Sequence, residues 1–141
     1  MATIYESRYT AIPREVKTLD TSGLRDEFLI NNFMKTSQIA PTYTHYDRCN
    51  TGSTVSGVSA LALESIEPQK EDCFLERREL GIINIEGEVI IERTLYALDY
   101  KDTLYIGKRN KEVIFKSNNT EEPTKFYMNS ALPHHSYSTK K

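Results

Sequence analysis

Short stretches of alternating apolar and polar residues recur along this chain. From residue 73 onward they return at intervals of about 8–12 residues, separated by Asp, Lys, Asn and Gly. Thr42-Tyr43-Thr44-His45-Tyr46 alternates as a half-buried strand does. Cys73-Phe74-Leu75-Glu76, Leu95-Tyr96-Ala97-Leu98, Thr103-Leu104-Tyr105-Ile106, Val113-Ile114-Phe115 and Lys125-Phe126-Tyr127-Met128 read as further strands. Leu80-Gly81-Ile82-Ile83-Asn84-Ile85 and Val89-Ile90-Ile91-Glu92-Arg93 flank Glu86-Gly87-Glu88, which reads as a hairpin with Gly87 at positive φ. Residues 58–66 also favour a strand, whereas the Gly/Ser/Thr-rich segment 52–57 reads as a loop. Residues 9–22, broken by Pro13, predict an irregular arm with at most a short helical turn. Many short strands and no long helical period predict an all-β sandwich or barrel.

Composition narrows the class. The 141 residues suffice for one domain with one core. A net charge of -2 gives no electrostatic footprint for nucleic acid. No apolar run approaches the ~20 residues of a membrane-spanning helix, and the start at Met1 lacks a basic and apolar leader, so a cytoplasmic protein is expected. Cys49 and Cys73 are too few and too widely spaced for a disulfide scaffold and read as reduced thiols.

The motifs of phosphate-cradling loops, zinc proteases and serine hydrolases are missing. The strand order resembles the cupin layout, in which an HxH strand, a following Glu and a late His converge on a metal inside a barrel. In this chain those four positions fall on Cys73, Leu75, Leu80 and Glu112. Two are aliphatic, and a Cys with a Glu makes a poor cage, so a packed interior and no bound metal are expected. His134 and His135 are adjacent and face opposite ways on a strand. One of them, with Tyr137 and Lys140, is a candidate for lining a substrate pocket. In Glu76-Arg77-Arg78-Glu79, a solvated, self-paired patch is the ordinary reading. Arg77 or Arg78 is the candidate for anchoring a carboxylate.

These residues carry a resemblance to the bacterial ketol-isomerases of pectin breakdown that act on 5-dehydro-4-deoxy-D-glucuronate. The matching pieces include Lys17-Thr18-Leu19-Asp20-Thr21, His45 with Asp47-Arg48, Phe74-Leu75-Glu76-Arg77-Arg78-Glu79-Leu80-Gly81, Leu104-Tyr105-Ile106-Gly107-Lys108 and Thr139-Lys140-Lys141. Ser138 stands where the family commonly has proline, and Arg109 where it commonly has glycine. The resemblance implies a cupin-like jelly roll (a double-stranded β-helix sandwich) with an irregular arm. It also implies a full chain about twice this long that assembles as a hexamer. Zinc would be held by a C-terminal half, and the small acyclic uronate substrate would be isomerised between aldose and ketose through an enediolate. This chain would be the degenerate N-terminal half: arm over 1–24, β domain over 25–133, and the start of a linker over 134–141. It would have no catalytic residue of its own and a structural, assembly role. His135, Tyr137, Lys140 and Arg77 are the residues expected nearest the substrate. The other reading is a free-standing cupin-like module that binds or senses a sugar acid.

Overall fold

The computed structural model describes residues 4–31, 33–84, 87–91, 93–119 and 121–141. The chain opens with β1 (Glu6–Arg8), α1 (Pro13–Val16) and α2 (Thr21–Phe28). Pro13 begins α1, where its missing N–H costs nothing. Asp20 caps α2 by accepting from the Gly23 N–H at 2.8 Å. The arm thus holds two helices rather than a single turn, and α2 runs across position 25. The remaining strands are β2 (Gln38–Thr44), β3 (Asn50–Ser56), β4 (Leu61–Ala62), β5 (Glu79–Asn84), β6 (Gly87–Ile91), β7 (Thr94–Leu98), β8 (Thr103–Ile106), β9 (Val113–Lys116) and β10 (Thr124–Ala131).

They form two sheets, one ordered β1-β2-β3-β10-β5-β8 and the other β4-β9-β6-β7. All pairs except parallel β1–β2 are antiparallel. β10 shows why the alternation exists: its odd and even residues are strictly exposed or buried. Register stacks the inward residues in rows. Tyr43, Asn50, Ser130, Leu80 and Ile106 form one row; Pro41, Gly52, Met128, Ile82 and Leu104 form the next. Against them the smaller sheet packs Leu98, Val113 and Phe115, with Phe115 tilted on Phe126 at 5.1 Å. Asn84 Nδ2 donates to the Leu98 carbonyl at 2.6 Å and Ser56 Oγ to the Phe115 carbonyl at 3.4 Å, tying sheet to sheet.

Four expectations need correction. Segment 52–57 is not a loop: most of it is β3, held between β2 and β10. Its small residues read as turn chemistry, yet they suit a crowded strand. A Cβ on Gly52 would stand 2.7 Å from the Ala40 carbonyl oxygen and 2.9 Å from Pro41 Cα, and Thr54 Oγ1 reaches Met128 Sδ at 3.4 Å. Of 58–66, only Leu61–Ala62 is strand, and a 3-10 turn, Glu67–Gln69, follows. Residues 73–76 are a turn, closed by the Glu76 N–H on the Cys73 carbonyl at 3.2 Å. Finally, β5 and β6 are not a hairpin. They lie in different sheets, and the connecting Ile85 and Glu86 lie outside the described residues. Gly87 is strand, paired with Leu98; the true hairpin joins β6 to β7, with Arg93 taking φ 74° in the link.

Two substitutions test this packing. Gly52→Ala should cost about 1–3 kcal/mol in denaturant unfolding, because backbone atoms rather than flexible side chains must yield. Arg109, which holds φ 76°, is strained. Arg109→Gly should raise stability by up to about 1 kcal/mol in the same measurement, the left-handed strain outweighing glycine's extra unfolded-state entropy.

Candidate functional site

The cupin-equivalent positions do not come together as a metal site. Leu75 and Leu80 lie in the sealed core. Cys73 is only partly buried in the 73–76 turn and Glu112 is exposed ahead of β9; neither belongs to the core cluster. The expectation that 73 and 75 share a strand face fails because a turn has no two-residue period. Burial pushes the Cys73 thiol up, and Glu76 and Glu71 add to the shift. Two aliphatic side chains cannot ligate, so these residues do not fit a zinc ion. Among the described residues no group of three His, Cys, Asp or Glu side chains could hold a metal.

Three of the expected substrate-proximal residues, His135, Tyr137 and Lys140, lie together on a strap along the β8 edge. Lys140 and Tyr105 exchange backbone hydrogen bonds at 2.8 and 2.9 Å. The strap fits there because Gly107 has no side chain: a Cβ would collide with the Tyr137 carbonyl oxygen. Tyr137 stands edge-on to Tyr105 at 6.5 Å and to His135 at 6.3 Å, itself largely exposed. Beneath it, the Tyr105 hydroxyl donates to Glu79 Oε2 at 2.6 Å. Lys141 Nζ pins the end to Asp102 at 2.7 Å and to the Ala97 carbonyl at 2.9 Å. The cluster offers ring faces and hydrogen bonds. Arg77, the fourth expected residue, makes its contacts elsewhere, with Glu71 at 3.4 Å and the Lys70 carbonyl at 3.4 Å.

Its neighbour Arg78, the other candidate carboxylate anchor, is the one of the pair that the fold buries. It is only 2% exposed. It lies directly ahead of β5, two residues before the core residue Leu80. Nη2 donates to the Arg48 carbonyl at 2.6 Å, and the guanidinium lies over the Tyr43 ring, 5.6 Å from its centroid. Nε and Nη1 have no partner among the described residues. Nor do the amide N and O of buried Asn50, the cross-strand partner of Tyr43, or Glu71 Oε2. Burial lowers the Arg78 pKa against the pull of Glu71, and burial raises that of Glu71 against Arg78 and Arg77. Cys49 joins the same group, its thiol raised by burial despite Arg78. His45 is set apart, stacked on Tyr9 at 4.4 Å and edge-on to Tyr43 at 5.2 Å.

The fold and its interior define an all-β, two-sheet sandwich of the jelly-roll kind with aliphatic residues at two of the four positions where a cupin carries metal ligands. No protein-family model matches the chain. Among solved structures, the EutQ protein of Clostridium difficile aligns with TM-score 0.41 at 9% identity, covering 61% of this chain and 53% of that one. A Cupin_2 domain of an XRE-family transcriptional regulator from Enterobacter cloacae aligns with TM-score 0.49 at 11% identity, covering 68% and 96%. Sequence is more specific. The 4-deoxy-L-threo-5-hexosulose-uronate ketol-isomerase of Formosa agariphila is 52% identical over 143 residues, 100% of this chain and 51% of that protein. Proteins of the same name from Oceanobacillus iheyensis and Bacteroides fragilis are 41% and 38% identical, covering 96% and 100% of this chain and 50% and 51% of theirs. The chain is similar to these ketol-isomerases over nearly all of its own length, and it spans about half the length of the curated relatives it matches. No helix among the described residues is long and apolar enough to cross a membrane.

The Tyr105–Glu79 bond predicts a pH response. Burial, then the hydrogen bond to Glu79, pushes the Tyr105 hydroxyl up to about 12 from its ordinary 10.0. A group whose proton is held more tightly when folded contributes stability that is complete below pH 10.0 and is lost as the pH rises toward about 12. Unfolding midpoints should therefore fall across that window. Tyr105→Phe should be less stable at pH 8 and should show a shallower fall across the same window.

Proposed function

We propose that this chain is the N-terminal, metal-free half of a ketol-isomerase that converts 5-dehydro-4-deoxy-D-glucuronate to 3-deoxy-D-glycero-2,5-hexodiulosonate during uronate breakdown in the cytoplasm. The observation that carries the reading is identity to curated isomerases along the entire chain but over only half of theirs. The sealed Leu75–Leu80 interior supports assigning the zinc to a C-terminal half. In this division of labour the chain's part is structural. Its sandwich packs against its own C-terminal half and against other subunits of a hexamer, and the strap bearing His135, Tyr137 and Lys140 leads toward the catalytic half. Arg77, exposed on the 70–78 segment, is the remaining residue proposed to lie near substrate.

The purified 141-residue chain should carry far less than one zinc and show no isomerisation of 5-dehydro-4-deoxy-D-glucuronate. Fusion to the C-terminal half of the Formosa agariphila relative should give both zinc and turnover. About one tightly bound zinc per chain together with turnover by the chain alone would overturn the assignment.

A further inference from the structure

A guanidinium withdrawn from water needs a counter-charge and a partner for each N–H. Arg78 has neither in full. Among the described residues no carboxylate forms an ion pair with it, since Glu71 pairs with Arg77 instead. Its Nε and Nη1 are unpartnered, and Asn50, the β3 residue paired in register with Tyr43, is buried with an unused donor and an unused acceptor. The nearest built-in anion is held weakly: Glu71 Oε2 is unpartnered, and Oε1 has only the exposed Arg77 at 3.4 Å. Glu71 sits one residue past Lys70, which takes φ 53° where the 3-10 turn gives way to the 71–78 segment.

We propose that Arg78, Asn50 and Tyr43 form a binding site for a small hydroxycarboxylate at this end of the barrel, with Glu71 as its resident competitor. The ligand carboxylate takes the guanidinium N–H groups that Glu71 leaves unmet, and an adjacent ligand hydroxyl donates to Asn50 Oδ1. The Tyr43 ring floors the site. A single negative charge balances the single buried positive one, which favours a carboxylate over a phosphate dianion. Binding displaces the Glu71 side chain toward Arg77 and solvent. The site stands on these residues alone and is independent of the isomerase reading.

The test is an NMR titration of the 15N-labelled 141-residue chain with sodium glycolate, its neutral isostere glycolamide, and sodium phosphate at matched ionic strength. Glycolate should shift the Arg78 Nε–H and Asn50 side-chain amide signals with a Kd on the order of 1 mM. Glycolamide should not. Glu71→Gln, which keeps the shape and removes the competing charge, should tighten glycolate severalfold. Arg78→Lys should weaken it at least about tenfold, because an ammonium does not present the planar donor set. If Arg78→Lys fails to fold, Glu71→Gln still decides. The proposal falls if glycolate leaves both signals unmoved, if glycolamide shifts them equally, if phosphate binds as tightly as glycolate, or if Glu71→Gln leaves the affinity unchanged. Zinc content and turnover play no part in these readouts, so this site and the isomerase assignment fail separately.

Discussion

An aliphatic interior closed at one end by a buried cation governs how this molecule can act. Leu75, Leu80, Ile82, Leu104 and Ile106 are sealed between the sheets. Each such side chain contributes about 1.5–3 kcal/mol by leaving water. That density is what lets two thin sheets hold together in a domain of this size. It is incompatible with a hydrated ion and its ligands in the same volume, since buried polar groups must be paired or they cost stability. The aliphatic packing that makes the sandwich stable therefore does not fit a metal ion at Leu75 and Leu80.

The strap follows from the same architecture. β8 is the last strand of the larger sheet, and an unpaired edge exposes backbone donors and acceptors. Lys140 covers that edge at Tyr105, and the bare backbone of Gly107 lets residue 137 approach. His135 and Tyr137 thus gather beside Tyr105 and Glu79 as a consequence of protecting a sheet edge, and the segment expected to begin a linker is anchored to the sheet. Any polar chemistry on the strap has that edge protection as its structural cause.

What could be read from the sequence depended on whether local pattern and tertiary position agreed. β7 to β10 were legible because their alternation reflects one wet and one dry face, as β10 shows residue by residue. β3 was hidden because its inward residues are Asn, Gly, Thr and Ser, which also make turns; only the close approach of β2 explains them. The β5–β6 hairpin was misread because adjacency in sequence suggests pairing, whereas here the chain crosses between sheets. Leu75 and Leu80 are core residues in the structure, and an aliphatic side chain cannot ligate a metal wherever it sits. Arg78 was legible as a candidate carboxylate anchor, but its burial was not, since charge clusters are ordinarily solvated.

That arginine also weighs against a metal ion in this interior. A divalent ion in the same interior as this guanidinium would be repelled by it, the more strongly where the effective dielectric is low. Placing His at 75 and Glu at 80 would supply ligands, but it would leave that repulsion and add unpaired polar groups to the core. Seating a metal ion here would require Arg78, which lies over the Tyr43 ring, to change together with the leucines.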